Sequence, residues 1–587
     1  MEKSSRNDRY PKLYIALFLI LALAITIRSL PAWTNAAWGN DFGIYYGITT
    51  SILKERHIFV EYNGWGSSYQ YFPVLYMTSI AVHMITGMDI FWLMPKIAPI
   101  IGGLTVLIIY CIVSYLFKDR RLALLSSLLL AIAPFHVYQT SHAAPLTMGH
   151  FFMLLSIYFF LRCVKGDLFA MIFLIPSTLL LILSHHLSTY FYLISIDAIF
   201  LVSLVLKKKV EKKDFALLCY LLLAALSTFG YWSMVAKPVF YNFMPSGFPL
   251  APHQTVILYF ALLLCSFFLI TRCESLKNRL FKLVTAHPKM GYKTKIILTF
   301  LLIIFFEILF MLFPVPGVRI RINPATIIYS IPIATLFSFG TAGLSLLKRS
   351  EEGLLIRWWF IAIFASFIYA VVYRETSIYP DRHLEYLMVP LSIAIAFSFS
   401  KYFRECRFLH AMHLSKTKYS IGVSLIGLLM FSNMVVVYPA FDSINAADER
   451  ITDPCINAIE WLRENVNTSL VIASDHRLSM LLWANGFNFA SDETNLTWTS
   501  ESWEECKAEI ESLNISYILI DDIMKDKVVN VGVGKYYQMS NASYEKFKKE
   551  PFELVYRNAT YSVDGEEISW AEVYYVNWSY VYGRDES

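Results

Sequence analysis

The 587-residue sequence has no glycine-rich dinucleotide fingerprint, no phosphate-binding loop and no CxxC pair. Their absence excludes the commonest nucleotide-binding and dithiol chemistries. Charge is scarce as well: Asp, Glu, Lys and Arg make up 16% of the chain, against 56% hydrophobic residues and a mean hydropathy of +0.50. That balance excludes a soluble protein and describes an integral membrane protein. The formal net charge of +5 is no nucleic-acid signature, because the Lys and Arg residues fall in short loops between apolar runs. No nucleic-acid partner is expected.

What is present is a succession of apolar runs. Spans are expected at about 13–30, 96–117, 122–138, 147–163, 168–185, 187–206, 215–234, 254–272, 296–313, 324–347, 353–373, 385–403 and 419–438. These about thirteen crossings put Lys118-Asp119-Arg120-Arg121, Lys207-Lys208-Lys209 and the Lys401–Lys418 stretch on the cytoplasmic side, together with the N-terminus. The apolar stretch Tyr71–Thr86 carries Pro73 and His83 and is short for a crossing, so it reads as a juxtamembrane or re-entrant helix at the outer surface. The expected architecture is a polytopic α-helical membrane block over 1–440, with a first outer loop at about 31–95, and an extracytoplasmic α/β domain over 441–587. A multi-pass plasma-membrane protein with its C-terminal domain outside follows from this topology.

Six N-glycosylation acceptor patterns, at Asn467, Asn495, Asn514, Asn541, Asn558 and Asn577, all lie after the last expected span. They agree with an exterior tail. Within it, Asp453–Glu464 reads as an amphipathic helix with Asp453-Pro454 as N-cap and early Pro. Ser469–Ser474 and Ser516–Asp521 read as strands, Ser500–Leu513 as a helix and Phe552–Val576 as β-rich. Cys455 and Cys506 stand alone in this domain, and a disulfide or two buried thiols are both compatible with the sequence. His185-His186 has no convincing third metal ligand and suits a polar helix end, while His410 and His413 suit a solvated basic loop.

Asp41 is the chemically pointed residue. It lies in Trp38-Gly39-Asn40-Asp41-Phe42-Gly43-Ile44-Tyr45-Tyr46, just after the first span reaches the far side. An acid held there can accept a proton or bind a metal; its bland role would be to cap a helix from Phe42 to Arg56. The outer-side arginines are Arg28, Arg56, Arg319, Arg321, Arg374 and Arg382. A guanidinium pairs bidentately with phosphate, although membrane-edge arginines also anchor at lipid headgroups.

The pattern resembles the GT-C superfamily of membrane glycosyltransferases, which includes oligosaccharyltransferase catalytic subunits, protein O-mannosyltransferases and aminoarabinose transferases. Asn40-Asp41-Phe42-Gly43-Ile44-Tyr45-Tyr46 is similar to the family's first outer loop, and Gln70-Tyr71-Phe72-Pro73 to its aromatic-proline stretch. Ala133-Pro134-Phe135-His136-Val137-Tyr138-Gln139 resembles the end of its third span, and Asp381-Arg382-His383-Leu384-Glu385-Tyr386 its arginine-bearing outer loop. The outer sequons and two-part architecture lean towards an archaeal member.

The resemblance implies transfer of a sugar from a polyprenyl (dolichyl) phosphate donor to an acceptor hydroxyl outside, with inversion. Asp41 would be the base, and Arg382, then Arg319 and Arg321, would hold the donor phosphate. Tyr45, Tyr71, His142 and His150 would contact substrate, and Trp38, Trp65 and Tyr69 are candidate sugar-stacking aromatics. The acceptor would be a glycan, a lipid-linked species or a protein, in contact with membrane lipid. Two departures matter: the second outer loop, Thr140-Ser141-His142-Ala143-Ala144-Pro145, has no carboxylate, and the tail lacks the Trp-Trp-Asp-Tyr-Gly motif of oligosaccharyltransferases. No cofactor is therefore expected to be required and no metal ligands are assigned, although a divalent metal stays possible. An oligosaccharyltransferase-like enzyme moving a lipid-linked glycan to protein is the alternative. A secondary transporter is the rival from another class, with Glu307 and Asp197 as intramembrane acids.

Overall fold

The computed structural model describes residues 9–286, 290–313, 324–373, 378–405, 424, 427–432, 447–532 and 535–584. Ten helices among the described residues are long and apolar enough to cross a membrane: Lys12–Thr34, Ile90–Phe117, Pro145–Val164, His186–Leu206, Lys212–Met234, Pro252–Arg272, Tyr292–Leu312, Thr326–Leu347, Glu351–Val372 and Pro380–Lys401. Asp89 starts the second of these by accepting hydrogen bonds from the Phe91 and Trp92 amides. Asp119 caps the helix after it through the Arg121 and Leu122 amides.

Two expected spans are shorter than the sequence suggested. The 122–138 stretch is broken into Arg120–Ala131 and Pro134–Gln139, because Pro134 can start a helix but not continue one. The 168–185 stretch folds as a 3₁₀ turn, Leu168–Ala170, and the helix Met171–Ile182. Most of 419–438 lies outside the described residues. The helix Val74–Thr86 is 13 residues long, in keeping with a segment that does not cross alone.

The bundle is asymmetric in a way that bears on the site. Its last described helix is the most enclosed, with 83% of the apolar window buried, whereas Tyr292–Leu312 has none buried and lies at the periphery. Arg382 sits in the first turn of that enclosed helix.

The C-terminal domain is built on a five-stranded mixed sheet. In spatial order its strands are Asn488–Ala490, Val471–Ala473, Ile515–Asp521, Glu567–Val576 and Phe552–Tyr561. The first three are parallel and the last two antiparallel. Ile472, Ile518, Leu519, Ile520 and Val573 fill its core. The helix Asp453–Asn465 is present, but its cap is Thr452; Asp453 and Pro454 are its first two residues. Cys455 and Cys506 are buried free thiols, Cys455 donating to Asp521 Oδ2 at 3.3 Å. Of the six acceptor asparagines, Asn467, Asn495, Asn514 and Asn541 are exposed.

This domain grips the first outer loop in two places. Ala37–Trp38 pairs antiparallel with Arg450–Ile451, and the Gly39 amide donates to the Glu449 carbonyl at 3.1 Å. The first-loop helix Phe42–Glu55 packs along the helix His476–Ala484. Gly43 and Gly47, one turn apart, form the contact face, since a Cβ on Gly43 would lie 2.4 Å from the Met480 carbonyl carbon and one on Gly47 2.3 Å from the Trp483 ring. Small residues at this spacing let two helix backbones approach closely.

Candidate active site

Asp41 stands immediately before the first-loop helix, but its carboxylate makes no capping hydrogen bond. The backbone carbonyl does that work, accepting from the Ile44 and Tyr45 amides. Both carboxylate oxygens face other partners. Oδ1 is 3.0 Å from Nε2 of His476, while Oδ2 accepts from the Tyr69 hydroxyl at 3.1 Å and the Tyr45 hydroxyl at 3.5 Å. Burial raises the Asp41 pKa, but the hydrogen bond and charge of His476, then the Tyr69 hydroxyl and the Arg382 charge, outweigh it and hold the carboxyl below its ordinary value. Burial lowers the His476 pKa; the hydrogen bond and charge of Asp41, with Asp475 and Asp492, reverse this and leave it above that of ordinary imidazole. Each partner thus favours the charged form of the other, carboxylate on Asp41 and imidazolium on His476.

A second carboxylate lies next to this pair. Glu449 accepts from Asn40 Nδ2 at 2.9 Å and the Tyr138 hydroxyl at 2.8 Å, and its other oxygen is 2.7 Å from His142 Nε2. Arg382 Nη1 donates to Gln139 Oε1 at 2.9 Å. Arg382 is thus held by Gln139, whose chain neighbour Tyr138 donates to Glu449, and Glu449 also accepts from Asn40, the chain neighbour of Asp41. Elsewhere in the bundle a cavity of about 340 Å³ runs between the helices His186–Leu206 and Glu351–Val372, walled by Tyr190, Ile194, Phe248, Ala362 and Tyr369. Its Ser366 hydroxyl is 2.8 Å from Nε2 of His383, the residue after Arg382.

The structure brings Asp41, Tyr45, Tyr69 and Arg382 to one end of the bundle and separates several other candidates from them. His142 meets Glu449, with its Nδ1 2.8 Å from the Tyr138 carbonyl. His150 is buried inside the bundle, stacked on Tyr386 with ring centroids 4.4 Å apart and 3.8 Å from Glu385. Tyr71 lies away from Asp41, its carbonyl accepting from the Tyr231 hydroxyl. Arg28 is fully buried: it donates to Thr140 Oγ1 and to the Ala24 and Ala131 carbonyls, stitching three helical segments. Arg319, Arg321 and Arg374 lie outside the described residues, as do His410 and His413. His185 caps the following helix by accepting from the Ser188 amide, and Glu307 accepts from the Ser330 hydroxyl at 2.7 Å.

His476 and Glu449 escaped the sequence reading. A signal for His476 exists: it follows a buried strand and opens a helix, and in open α/β sheets the carboxyl ends of strands are where ligands are met. Glu449 carries no comparable signal.

Among the described residues no three His, Cys, Asp or Glu side chains converge on a possible metal position. Both Asp41 oxygens are engaged by protein donors, and the second outer loop offers His142 to Glu449 in place of a free acid.

The helical block with an acid-bearing loop after its first span, closed by a mixed α/β domain, shares its fold with solved oligosaccharyltransferases. Among solved structures it is similar to the oligosaccharyltransferase AglB from Archaeoglobus fulgidus in complex with an inhibitory peptide and a dolichol-phosphate. That likeness has a TM-score of 0.57 at 17% identity, covering 88% of this chain and 70% of that one. It is similar also to the Archaeoglobus fulgidus oligosaccharyltransferase complex with Zn and sulfate, with a TM-score of 0.56 at 18% identity over 86% of this chain and 68% of that one. At such identities the likeness is one of fold. No protein-family model and no curated protein matches the sequence.

Proposed function

We propose that this protein is a membrane glycosyltransferase that moves a sugar from a polyprenyl (dolichyl) phosphate donor to an acceptor hydroxyl outside the cytoplasm. The observation that carries the reading is the Asp41 carboxylate lying close enough to Arg382, at one end of the bundle, for the guanidinium charge to help hold it below its ordinary pKa. The apolar cavity lined by Tyr190, Ile194, Phe248 and Tyr369 supports a lipid-borne donor, since it offers a hydrocarbon surface for such a chain. The dolichol-phosphate bound by the similar oligosaccharyltransferase points to the same donor class.

In the reaction the acceptor oxygen forms a bond to the anomeric carbon while the bond from that carbon to the phosphate oxygen breaks. The electron pair leaves with the polyprenyl phosphate, where Arg382 meets the negative charge. The acceptor proton passes to Asp41. Because this carboxyl is a weak base, it takes the proton late, as the attacking oxygen becomes acidic. Direct displacement inverts the anomeric centre. The N-terminus would be cytoplasmic and the C-terminal domain extracytoplasmic, and transfer would need no divalent metal.

The test offers purified full-length protein a panel of polyprenyl- and dolichyl-phosphate sugars, with and without EDTA. Transfer that survives EDTA supports the reading. The fold likeness to an oligosaccharyltransferase tethered to an acceptor peptide containing the NVT sequon favours a second reading, transfer of a lipid-linked glycan to protein. Transfer to a sequon peptide that EDTA abolishes would select it.

A further inference from the structure

The residue that meets Asp41 most closely is 435 positions away, in another domain. We propose that His476 is the positioning residue for Asp41, so that the reactive carboxylate is completed only when the C-terminal domain is seated on the first-loop helix. This rests on Asp41 being the base.

Three independent features hold the imidazole in place. His476 is the first residue of its helix, whose cap, Asp475, accepts from the Leu478 amide at 3.0 Å. Its neighbour Arg477 is wholly buried, donating to Asp475 at 2.7 Å and to both Asp521 oxygens at 3.0 and 2.9 Å. That network ties the helix start to the central strand Ile515–Asp521. Finally, the contact at Gly43 and Gly47 sets the height of the His476 helix over the first-loop helix, which Asp41 precedes.

The imidazole itself is 3% exposed, with the edge of Trp65 against it at 6.0 Å between centroids. The charged and titratable groups that face the pair are Asp475 and Asp492 on the histidine side, and Tyr45, Tyr62, Tyr69, Tyr76 and Arg382 on the carboxylate side. With Oδ1 held by His476 and Oδ2 by Tyr69 and Tyr45, the carboxylate has one orientation, and the second lone pair of Oδ1 is left for an acceptor hydroxyl. If the C-terminal domain moved off the first loop, this imidazole would leave with it. The domain would thus be a working part of the catalytic centre.

The test uses full-length protein carrying ¹³C-labelled histidine, where the signal missing in H476Q identifies His476. Its titration midpoint should lie above about 6.5, the ordinary imidazole value, and should fall in D41N. An ordinary midpoint, or one unmoved by D41N, overturns the pairing whether or not any sugar is transferred. Where the wild type transfers a sugar from the polyprenyl-phosphate panel, H476F should lose kcat on the order of 10²-fold with donor KM kept. H476Q, which retains an N–H donor, should lose less, and its acid limb should move to higher pH because the cation that depresses Asp41 is gone. Full kcat in H476F overturns the proposal. Absence of transfer from every donor by the wild type overturns the proposed reaction, and the titration still decides the pairing.

Discussion

Gly43 and Met480 are in backbone contact: a Cβ at position 43 would lie 2.4 Å from the Met480 carbonyl carbon and 2.5 Å from the Leu481 amide nitrogen. Neither atom belongs to a side chain that can swing away, so Gly43→Ala must push the two helices apart. The expected cost is about 1–3 kcal/mol, the range for overpacking, together with loss of transfer as His476 is lifted from Asp41. Gly230→Ala is the control, since nothing lies within 4 Å of the added carbon. Thermal unfolding of both variants alongside a transfer assay checks the contrast.

The Arg477 network gives a larger effect. Removing the guanidinium in Arg477→Ala leaves Asp475 and Asp521 buried without their partner. Breaking a buried ion pair from one side typically costs about 3–5 kcal/mol. Denaturant unfolding of the full chain should show the C-terminal domain melting earlier; an unchanged midpoint would contradict the role given to the network.

Glu449 ties the two outer loops to the C-terminal domain through Asn40, Tyr138 and His142. Glu449→Ala strands these groups, and a lost partner for partly buried polar atoms costs about 1–3 kcal/mol. Transfer should fall with it, because Asn40 adjoins Asp41 and Tyr138 adjoins Gln139, which holds Arg382. Glu449→Gln keeps an acceptor oxygen and should retain more stability. Unfolding midpoints for the two variants test the order.

The Asp41–His476 pair also sets a pH signature. Asp41 has a folded pKa below its unfolded value, so its contribution is present above the unfolded value and lost as pH falls through the folded one. His476 has a folded pKa above its unfolded value, so its contribution is present below the unfolded value and lost as pH rises through the folded one. The Tm difference between wild type and H476Q should be widest between about pH 4 and 6.5, the ordinary carboxylate and imidazole values. It should shrink on both sides. A difference that grows steadily above pH 7 would contradict the pairing.

What the sequence made legible follows from the range of each interaction. The membrane spans rest on local hydropathy and the alternation of the tail on local period. Ten of the spans, the helix Asp453–Asn465 and the strand Ile515–Asp521 were therefore readable, while the short helix His476–Ala484 and strand Asn488–Ala490 were not. Pro134 was visible, yet its breaking of the 122–138 run was not weighed against the length of the apolar stretch. Asp41 stood out because an acid directly after a first span is chemically conspicuous, and Arg382 because of the motif around it. Their partners were hidden by distance along the chain. His476 meets Asp41 across 435 positions and Glu449 meets His142 across 307, and no local pattern encodes either meeting. The burial of Arg28 was equally hidden, because its acceptors are carbonyls freed near the break before Pro134, more than a hundred positions away.

Asp41→Asn in single-turnover transfer from a polyprenyl-phosphate sugar tests the central claim most directly. The amide keeps the size of the carboxyl but cannot take the acceptor proton, so the rate of transfer should fall about 10²–10⁴-fold, the usual worth of a general base, with donor binding retained through Arg382. An Asn variant that transfers sugar at the wild-type rate would show that the reactive centre lies elsewhere.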